Sequence, residues 1–153
     1  MSIDERPAIV DEKTRVGDWE IDLVIGKGHS CALVTIVERA TSITVTKRVN
    51  SKSADIVTAA TISLLKPYKA AVLTITADNG KEFAYHRKMT AALDAAVYFA
   101  DPYSSWQRGL NENTNGLLRQ YWSKKTDFKK VSQRNVTSVI GALNNRPRKK
   151  LNY

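Results

Sequence analysis

Three acidic residues stand where a carboxylate could do chemistry. Asp22 lies within an alternating apolar segment, and a carboxylate there is costly unless it is paired or binds a cation. Asp78 follows an apolar run, and ligands of open α/β sheets bind outside the carboxyl ends of parallel strands. Glu112 stands at the start of a helical pattern. Together the three side chains could offer Mg²⁺ the hard oxygen ligands that it prefers.

Phosphoryl transfer is the chemistry that such a set of carboxylates supports. Two Mg²⁺ ions about 3.5–4 Å apart can activate an attacking oxygen and stabilise the leaving one. We therefore predict two ions, with Mn²⁺ as a substitute. Each acid has a structural alternative: an ion pair for Asp22, a turn position for Asp78 and a first-turn charge in a helix for Glu112. Glu20 shares a strand face with Asp22, so periodicity does not choose between them.

The elements that must position these acids follow from hydrophobic periodicity. The pattern predicts five strands, at 19–25, 31–38, 42–49, 71–76 and 96–99, and four helices, at 53–65, 81–93, 112–122 and 132–143. The first three strands form an antiparallel meander, and the fourth runs parallel to the first. This order predicts an α/β fold with a mixed five-stranded sheet flanked by helices, and it matches the ribonuclease H-like architecture.

Two helices also carry predictions about their buried faces. In the first helix, the apolar spacing places Ile56, Val57, Ala60 and Leu64 on one face. In the helix that begins near Glu112, the side chains expected toward the core are Leu117, Leu118 and Tyr121.

The charge of the chain is concentrated in its last third. The 153 residues carry a net charge of +9, and residues 101–153 hold 11 Lys or Arg but 3 Asp or Glu. A polyanion is the simplest partner for such a field, and nucleic acid leads because no segment reads as a membrane-surface helix. The alternative is a solvated basic face.

Candidate DNA contacts lie in the same region. Trp106, Gln107 and Arg108 fall in a loop beside Glu112, where an aromatic ring can stack on a base and a cation can touch phosphate. Lys124 and Lys125 follow the next helix and could contact phosphates. The alternatives are a tryptophan that anchors the loop and lysines that are merely solvated.

The chain organisation predicts one catalytic core. We expect a polar leader or linker, extended or mobile, over residues 1–18, a catalytic core over 19–145 and a basic tail over 146–153. One cysteine excludes an internal disulfide, and the apolar runs are too short for a membrane span. The polar, mixed-charge N-terminus is unlike a signal peptide, so we expect a cytoplasmic location.

Three segments resemble the motifs of insertion sequence thirty family transposases. Residues 17–23 (Gly-Asp-Trp-Glu-Ile-Asp-Leu) resemble the first motif, residues 76–83 the second and residues 98–120 the third. The resemblance implies a DDE, retroviral-integrase-like catalytic core. Carried over by position, the catalytic and metal-binding triad is Asp22, Asp78 and Glu112.

The same resemblance implies metal-dependent DNA strand cleavage and strand transfer in transposition. Its implied partners are the transposon ends, target DNA and further copies of the chain, with action at the bacterial nucleoid. Arg119 matches the basic residue seven places after the glutamate, about two helical turns on, where it can meet a phosphate. Glu20 and Asn79 are accessory candidates. The leader is too short for the helix-turn-helix region of the family, so we expect a catalytic fragment.

Two alternative functions remain open from the sequence. One is a ribonuclease H-like nuclease or resolvase that only hydrolyses, and the long third motif argues against it. The other is a catalytically silent DNA-binding or assembly fragment of a transposase, and the presence of all three acids argues against that.

The charge distribution generates a prediction about DNA binding. We expect the affinity for DNA to be largely independent of sequence and to fall steeply as salt rises, because phosphate contacts release counterions. Titrations between low and physiological salt measure this dependence. A flat dependence would count against phosphate contacts by Lys124, Lys125 and the nearby Lys129 and Lys130.

Overall fold

The computed structural model describes residues 1–28, 31–101 and 109–145, with the backbone alone at Gly109, Asn111 and Glu112. Within these ranges the strands are β1 (Asp18–Ile25), β2 (Ala32–Glu38), β3 (Thr44–Val49), β4 (Thr74–Ala77) and β5 (Ala96–Phe99). The α-helices are α1 (Ala8–Glu12), α2 (Ala54–Leu65), α3 (His86–Leu93), α4 (Gly109–Tyr121) and α5 (Gln133–Asn144). Short 3₁₀ turns cover Ile3–Glu5, Lys66–Ala71, Lys81–Phe83 and Phe128–Lys130.

The strands form one mixed sheet in the order β3-β2-β1-β4-β5. β1 pairs antiparallel with β2, and β2 pairs antiparallel with β3, so the meander is confirmed. β4 pairs parallel with β1, and β5 pairs parallel with β4. β1 therefore lies at the centre of the sheet, between the antiparallel half and the parallel half.

Helices cover both faces of this sheet, because β1 and β2 alternate their side chains between two cores. Trp19 and Ile21 of β1 pack in one core with residues of α2 and α3. Val24 packs in the other core with Leu118 of α4 and Val136 of α5. Glu20 and Asp22 share the parity of Val24, so they lie on the α4 side. The fold class predicted from periodicity is confirmed.

Two predictions about buried helix residues are wrong. Ile56 is 41% exposed, because the buried stripe of α2 runs through Val57, Ala60, Thr61 and Leu65. The Thr61 hydroxyl can be buried there because it donates to the carbonyl of Val57, at 2.8 Å.

Tyr121 at the end of α4 is likewise exposed, at 48%. Its neighbour Trp122 takes the core position and meets the Phe128 ring edge-on, with the ring centroids 6.2 Å apart. The larger apolar surface of the indole is buried in place of the phenol, which keeps its hydroxyl toward solvent.

Element boundaries also shift. The fourth strand begins at Thr74 and not at residue 71, because the preceding residues form the 3₁₀ turn Lys66–Ala71 with Pro67 near its start. The helix predicted over 81–93 is divided into the turn Lys81–Phe83 and α3.

Residues 1–18 differ from the extended leader that the sequence predicts. They contain a 3₁₀ turn and α1, and Val10 is fully buried. Arg6 Nη1 donates to Thr76 Oγ1 of β4 at 3.0 Å, and Arg39 Nε donates to the carbonyl of Val10 at 3.1 Å. The segment thus packs on the sheet at the level of Thr76. Among the described residues, none of the helices has the length and apolar character to cross a membrane.

Close packing at the β1–β2 turn generates a stability prediction. A Cβ on Gly26 would lie 2.5 Å from Phe128 Cδ2 and 2.8 Å from the Thr126 carbonyl oxygen. We expect Gly26→Ala to lower the free energy of unfolding by about 1–3 kcal/mol, because the turn and the segment after α4 must move apart. Urea denaturation monitored by circular dichroism measures the change.

Gly141→Ala in α5 is the matched control, because a Cβ there meets no atom within 4 Å. Alanine inside a helix should stabilise the protein by roughly 0.5–1 kcal/mol. Similar effects of the two substitutions would contradict the packing argument.

Candidate active site

The pairing of β1 with β4 leads to two of the three predicted acids. Glu20 of β1 lies opposite Thr76 of β4 in the last pair of this ladder. Asp22 lies two residues after Glu20 on β1, and Asp78 lies two residues after Thr76, immediately after β4. Because the two strands are parallel, both aspartates lie beyond the last pair in the same direction along the sheet. Both are half-buried, and both remain accessible in part.

Each aspartate is oriented by a backbone amide. Asp22 Oδ1 accepts from the N–H of Leu23, and Asp78 Oδ1 accepts from the N–H of Gly80, both at 2.8 Å. The second contact is the Asx turn expected for an Asp-Asn-Gly sequence. Asp78 therefore has the turn role that its sequence suggests. A carboxylate oriented in this way loses less conformational freedom when it binds a ligand.

Helix α4 adds a polar group that the sequence reasoning missed. Asn115 Nδ2 donates to Asp22 Oδ2 at 3.1 Å. Asn115 Oδ1 is buried and has no hydrogen-bond partner among the described residues. An orphaned amide oxygen beside a carboxylate fits a site for a hydrated cation, because Mg²⁺ takes oxygen ligands and retains waters that donate hydrogen bonds. The signal in the sequence is spacing: Asn115 lies three residues after Glu112, on neighbouring turns of one helix.

Glu112 lies in the first turns of α4, one helical turn before Asn115. Its backbone is therefore carried by the helix that contacts Asp22. The Glu112 side chain lies outside the described residues, so the convergence of three carboxylates stays a prediction. Among the side chains that the structure describes, no group of three or more His, Cys, Asp or Glu is placed to hold a metal ion.

Glu20 occupies the same sheet face as Asp22 but a different environment. Its side chain is 0% exposed, and Arg39 Nη1 contacts its Oε2 at 2.6 Å. The sequence raised an ion pair for Asp22, whereas the buried ion pair on this face is formed by Glu20, and Asp22 is the more accessible acid. No sequence signal identifies Arg39 as the partner, because the contact depends on how β1 and β2 pair.

The predicted DNA-contacting residues divide into described and undescribed ones. Arg119 Nη2 donates to the carbonyl of Ile25 at 2.7 Å, and its Nη1 donates to that of Ser123 at 3.3 Å. Burial lowers the pKa of the Arg119 guanidinium, which still stays charged because its ordinary pKa is so high. Lys124 and Lys125 are exposed beside it, and Asn79 is exposed after Asp78. Trp106, Gln107, Arg108 and the tail 146–153 lie outside the described residues.

Comparison with known proteins agrees with this geometry. Residues 14–105 match the family described as integrase core domain. The chain is 48% identical over 153 residues to the transposase of insertion sequence element IS4351 from Bacteroides fragilis. It is 41% identical over 152 residues to the transposase InsI of element IS30A from Escherichia coli K12. The two matches include 100% and 99% of this chain. The chain therefore spans less than half the length of these relatives, 47% of the first and 39% of the second.

Solved structures support the fold. The catalytic core domain of BIV integrase matches with a TM-score of 0.65 at 18% identity, over 87% of this chain and 86% of that one. A chain of the simian T-cell lymphotropic virus intasome, solved in complex with a PP2A regulatory subunit, matches with a TM-score of 0.61 at 21% identity. The match covers 88% of this chain and 56% of the intasome chain.

The architecture is that of the ribonuclease H-like catalytic cores found in retroviral integrases. The chain belongs to the integrase core domain family, and relatives with 40–48% identity over the full chain are insertion sequence transposases. The resemblance drawn from the three sequence motifs is thereby confirmed.

The buried ion pair generates a stability prediction. We expect Glu20→Gln to lower the free energy of unfolding by about 3–5 kcal/mol, because it removes the charge of the carboxylate that contacts the buried Arg39 guanidinium. Urea denaturation measures the loss. Glu12→Gln on α1 is the control, because it neutralises an exposed carboxylate and should change stability by less than about 0.5 kcal/mol. If Glu20→Gln and Glu12→Gln change the free energy of unfolding equally, the Glu20–Arg39 ion pair makes no specific contribution to stability.

Proposed function

We propose that this chain is the catalytic core of a DDE transposase that carries out metal-dependent DNA strand cleavage and strand transfer. One observation supports the proposal: Asp22 and Asp78 each follow the paired Glu20 and Thr76 by two residues, and α4 contacts Asp22 one turn after Glu112. The transposase relatives support it, and they favour strand transfer over a nuclease that only hydrolyses.

The site residues have distinct roles in this proposal. Asp22, Asp78 and Glu112 would hold two Mg²⁺ ions, for which Mn²⁺ can substitute. Such ions supply charge stabilisation at the phosphorus and acidify an attacking water. Asn115 and the amides of Leu23 and Gly80 orient the two aspartates and limit their rotamers. Glu20 and Arg39 neutralise each other's charge in a buried position. Of the two acids that β1 presents on this face, Asp22 is therefore the one whose charge is accessible.

The reaction proceeds in two displacements at phosphorus. Water attacks a phosphodiester at the transposon end, the bond to the 3′-oxygen breaks, and that oxygen leaves as a 3′-hydroxyl. The hydroxyl then attacks a phosphodiester of target DNA, forms a new ester bond and displaces the 3′-oxygen of the target strand. Both steps exchange one oxygen for another, so no covalent enzyme intermediate is needed.

The proposed partners follow from this reaction. They are transposon-end and target DNA, and further copies of the chain in the active assembly. The basic residues after β5 supply the field that attracts DNA. We place the activity in the bacterial cytoplasm, on the nucleoid. The leader, core and tail boundaries at residues 18 and 145 remain part of the proposal.

A strand-transfer assay tests the triad. With pre-cut transposon-end DNA and Mg²⁺ or Mn²⁺, we expect Asp22→Asn, Asp78→Asn and Glu112→Gln each to lower joining by at least about 100-fold, because a hard anionic ligand is lost. Their melting temperatures should be unchanged or higher, since neutralising one of several neighbouring acids relieves repulsion. Asp55→Asn, an exposed acid of α2, is the matched control and should retain activity.

Two results would oppose the proposal. If Asp78→Asn joins strands as well as the parent chain, Asp78 is only a turn residue. If the parent hydrolyses DNA in Mn²⁺ but never joins strands, the nuclease alternative replaces strand transfer.

A further inference from the structure

A cleft of about 610 Å³ lies at the carboxyl end of β1, beside the end of α4. Its walls are the β1–β2 turn and the segment that follows α4. Four of its lining side chains are cationic and none is acidic; the lining residues are Ile25, Gly26, Lys27, Gly28, Arg119, Lys124 and Lys125. The cleft is therefore a concentrated positive site within the described part of the chain.

Backbone contacts hold the two walls of this cleft together. The N–H of Lys27 donates to the carbonyl of Thr126 at 2.7 Å, which ties the turn to the segment after α4. Gly26 permits this approach because it lacks a Cβ where Phe128 and Thr126 pack. The lysines on opposite walls are thus kept together by the fold, although their charges repel.

The cations of the cleft form no ion pair with a carboxylate of the described residues. Arg119 lines the cleft and donates to two main-chain carbonyls, which are neutral acceptors. The side-chain ion pairs found in the described ranges join Arg6 to Asp11, Arg15 to Asp18 and Arg39 to Glu20, and none involves a cation of the cleft. Four cations that are outside these ion pairs and surround a concave surface fit a phosphate group.

We propose that this cleft binds a backbone phosphate of the DNA strand whose neighbouring phosphodiester reacts at Asp22 and Asp78. Lys27, Lys124 and Lys125 contact the phosphate oxygens, and Arg119 supplies fixed charge beneath them. Asp22 and Ile25 are three residues apart on β1, a span of about 10 Å. A span of this length allows one DNA strand to occupy both sites. The inference rests on the proposed function and adds a binding role for Lys27.

A salt titration compares two variants that each lose two lysines. Lys27→Gln/Lys124→Gln removes charge from both walls of the cleft. Lys66→Gln/Lys69→Gln removes two exposed lysines just before β4, at the opposite end of the sheet. With pre-cut transposon-end DNA in EDTA, the cleft pair should lower affinity roughly tenfold and reduce the slope of log K against log salt by about two. The control pair should change both by much less.

Neutral phosphates locate the contact on the DNA. A methylphosphonate is placed in turn at each of the first phosphates around the reactive 3′-end. We expect one position to weaken binding to the parent chain severalfold and to have no further effect on the Lys27→Gln/Lys124→Gln variant. Inorganic phosphate at constant ionic strength should compete only weakly; strong competition would identify the cleft as a site for free phosphate and overturn the proposal.

The outcomes separate this inference from the proposed function. Equal salt slopes for the two double variants, or a methylphosphonate effect that persists in the cleft variant, would overturn the cleft assignment even if the parent chain joins strands. A parent chain that does not join strands would oppose the proposed function, whereas DNA binding measured in EDTA still tests the cleft. Melting temperatures of all variants should match the parent, because the substituted lysines are exposed.

Discussion

The parallel pairing of β1 with β4 is the constraint on which the site depends. It places Glu20 opposite Thr76. Asp22 follows Glu20 by two residues, and Asp78 follows Thr76 by two residues. A slip of one residue in β1 would turn Glu20 and Asp22 into the core that now holds Trp19 and Ile21. The cost of burying those carboxylates against apolar side chains keeps the register unique. The same packing that stabilises the sheet therefore positions the candidate catalytic acids.

The α4-facing side of β1 changes character along its length. Glu20 is buried under Arg39, whose guanidinium also holds the carbonyl of Val10 in the N-terminal segment. Asp22 meets the amide of Asn115, and Val24 enters the apolar core with Leu118. One strand thus carries a neutralised ion pair, an accessible acid and an apolar anchor in succession. Asp22 therefore lies on β1 between a neutralised ion pair and an apolar anchor.

Helix α4 matches this sequence of environments. Asn115 lies at Asp22, Leu118 at the core and Arg119 at the carbonyl of Ile25. These three residues of α4 therefore lie beside successive positions of β1. The helix and the strand together line one surface that extends from Asp22 to the basic cleft. Arg119 was expected at a phosphate, and the structure shows its guanidinium held by main-chain carbonyls where it lines that cleft.

The order of the strands and helices, the parity of β1 and the choice of Asp22, Asp78 and Glu112 as candidates could all be predicted from the sequence. These depend on local periodicity, on turn chemistry at Asp-Asn-Gly and on motif resemblance, all of which a linear sequence contains. The folded structure was needed to show that Glu20 is the buried partner of Arg39 and that Asn115 contacts Asp22. It was also needed to show that the leader packs on the sheet, and that Lys27 joins the lysines after α4 in one cleft. Each of these contacts joins residues that are distant in the chain, and their proximity depends on sheet register and helix packing.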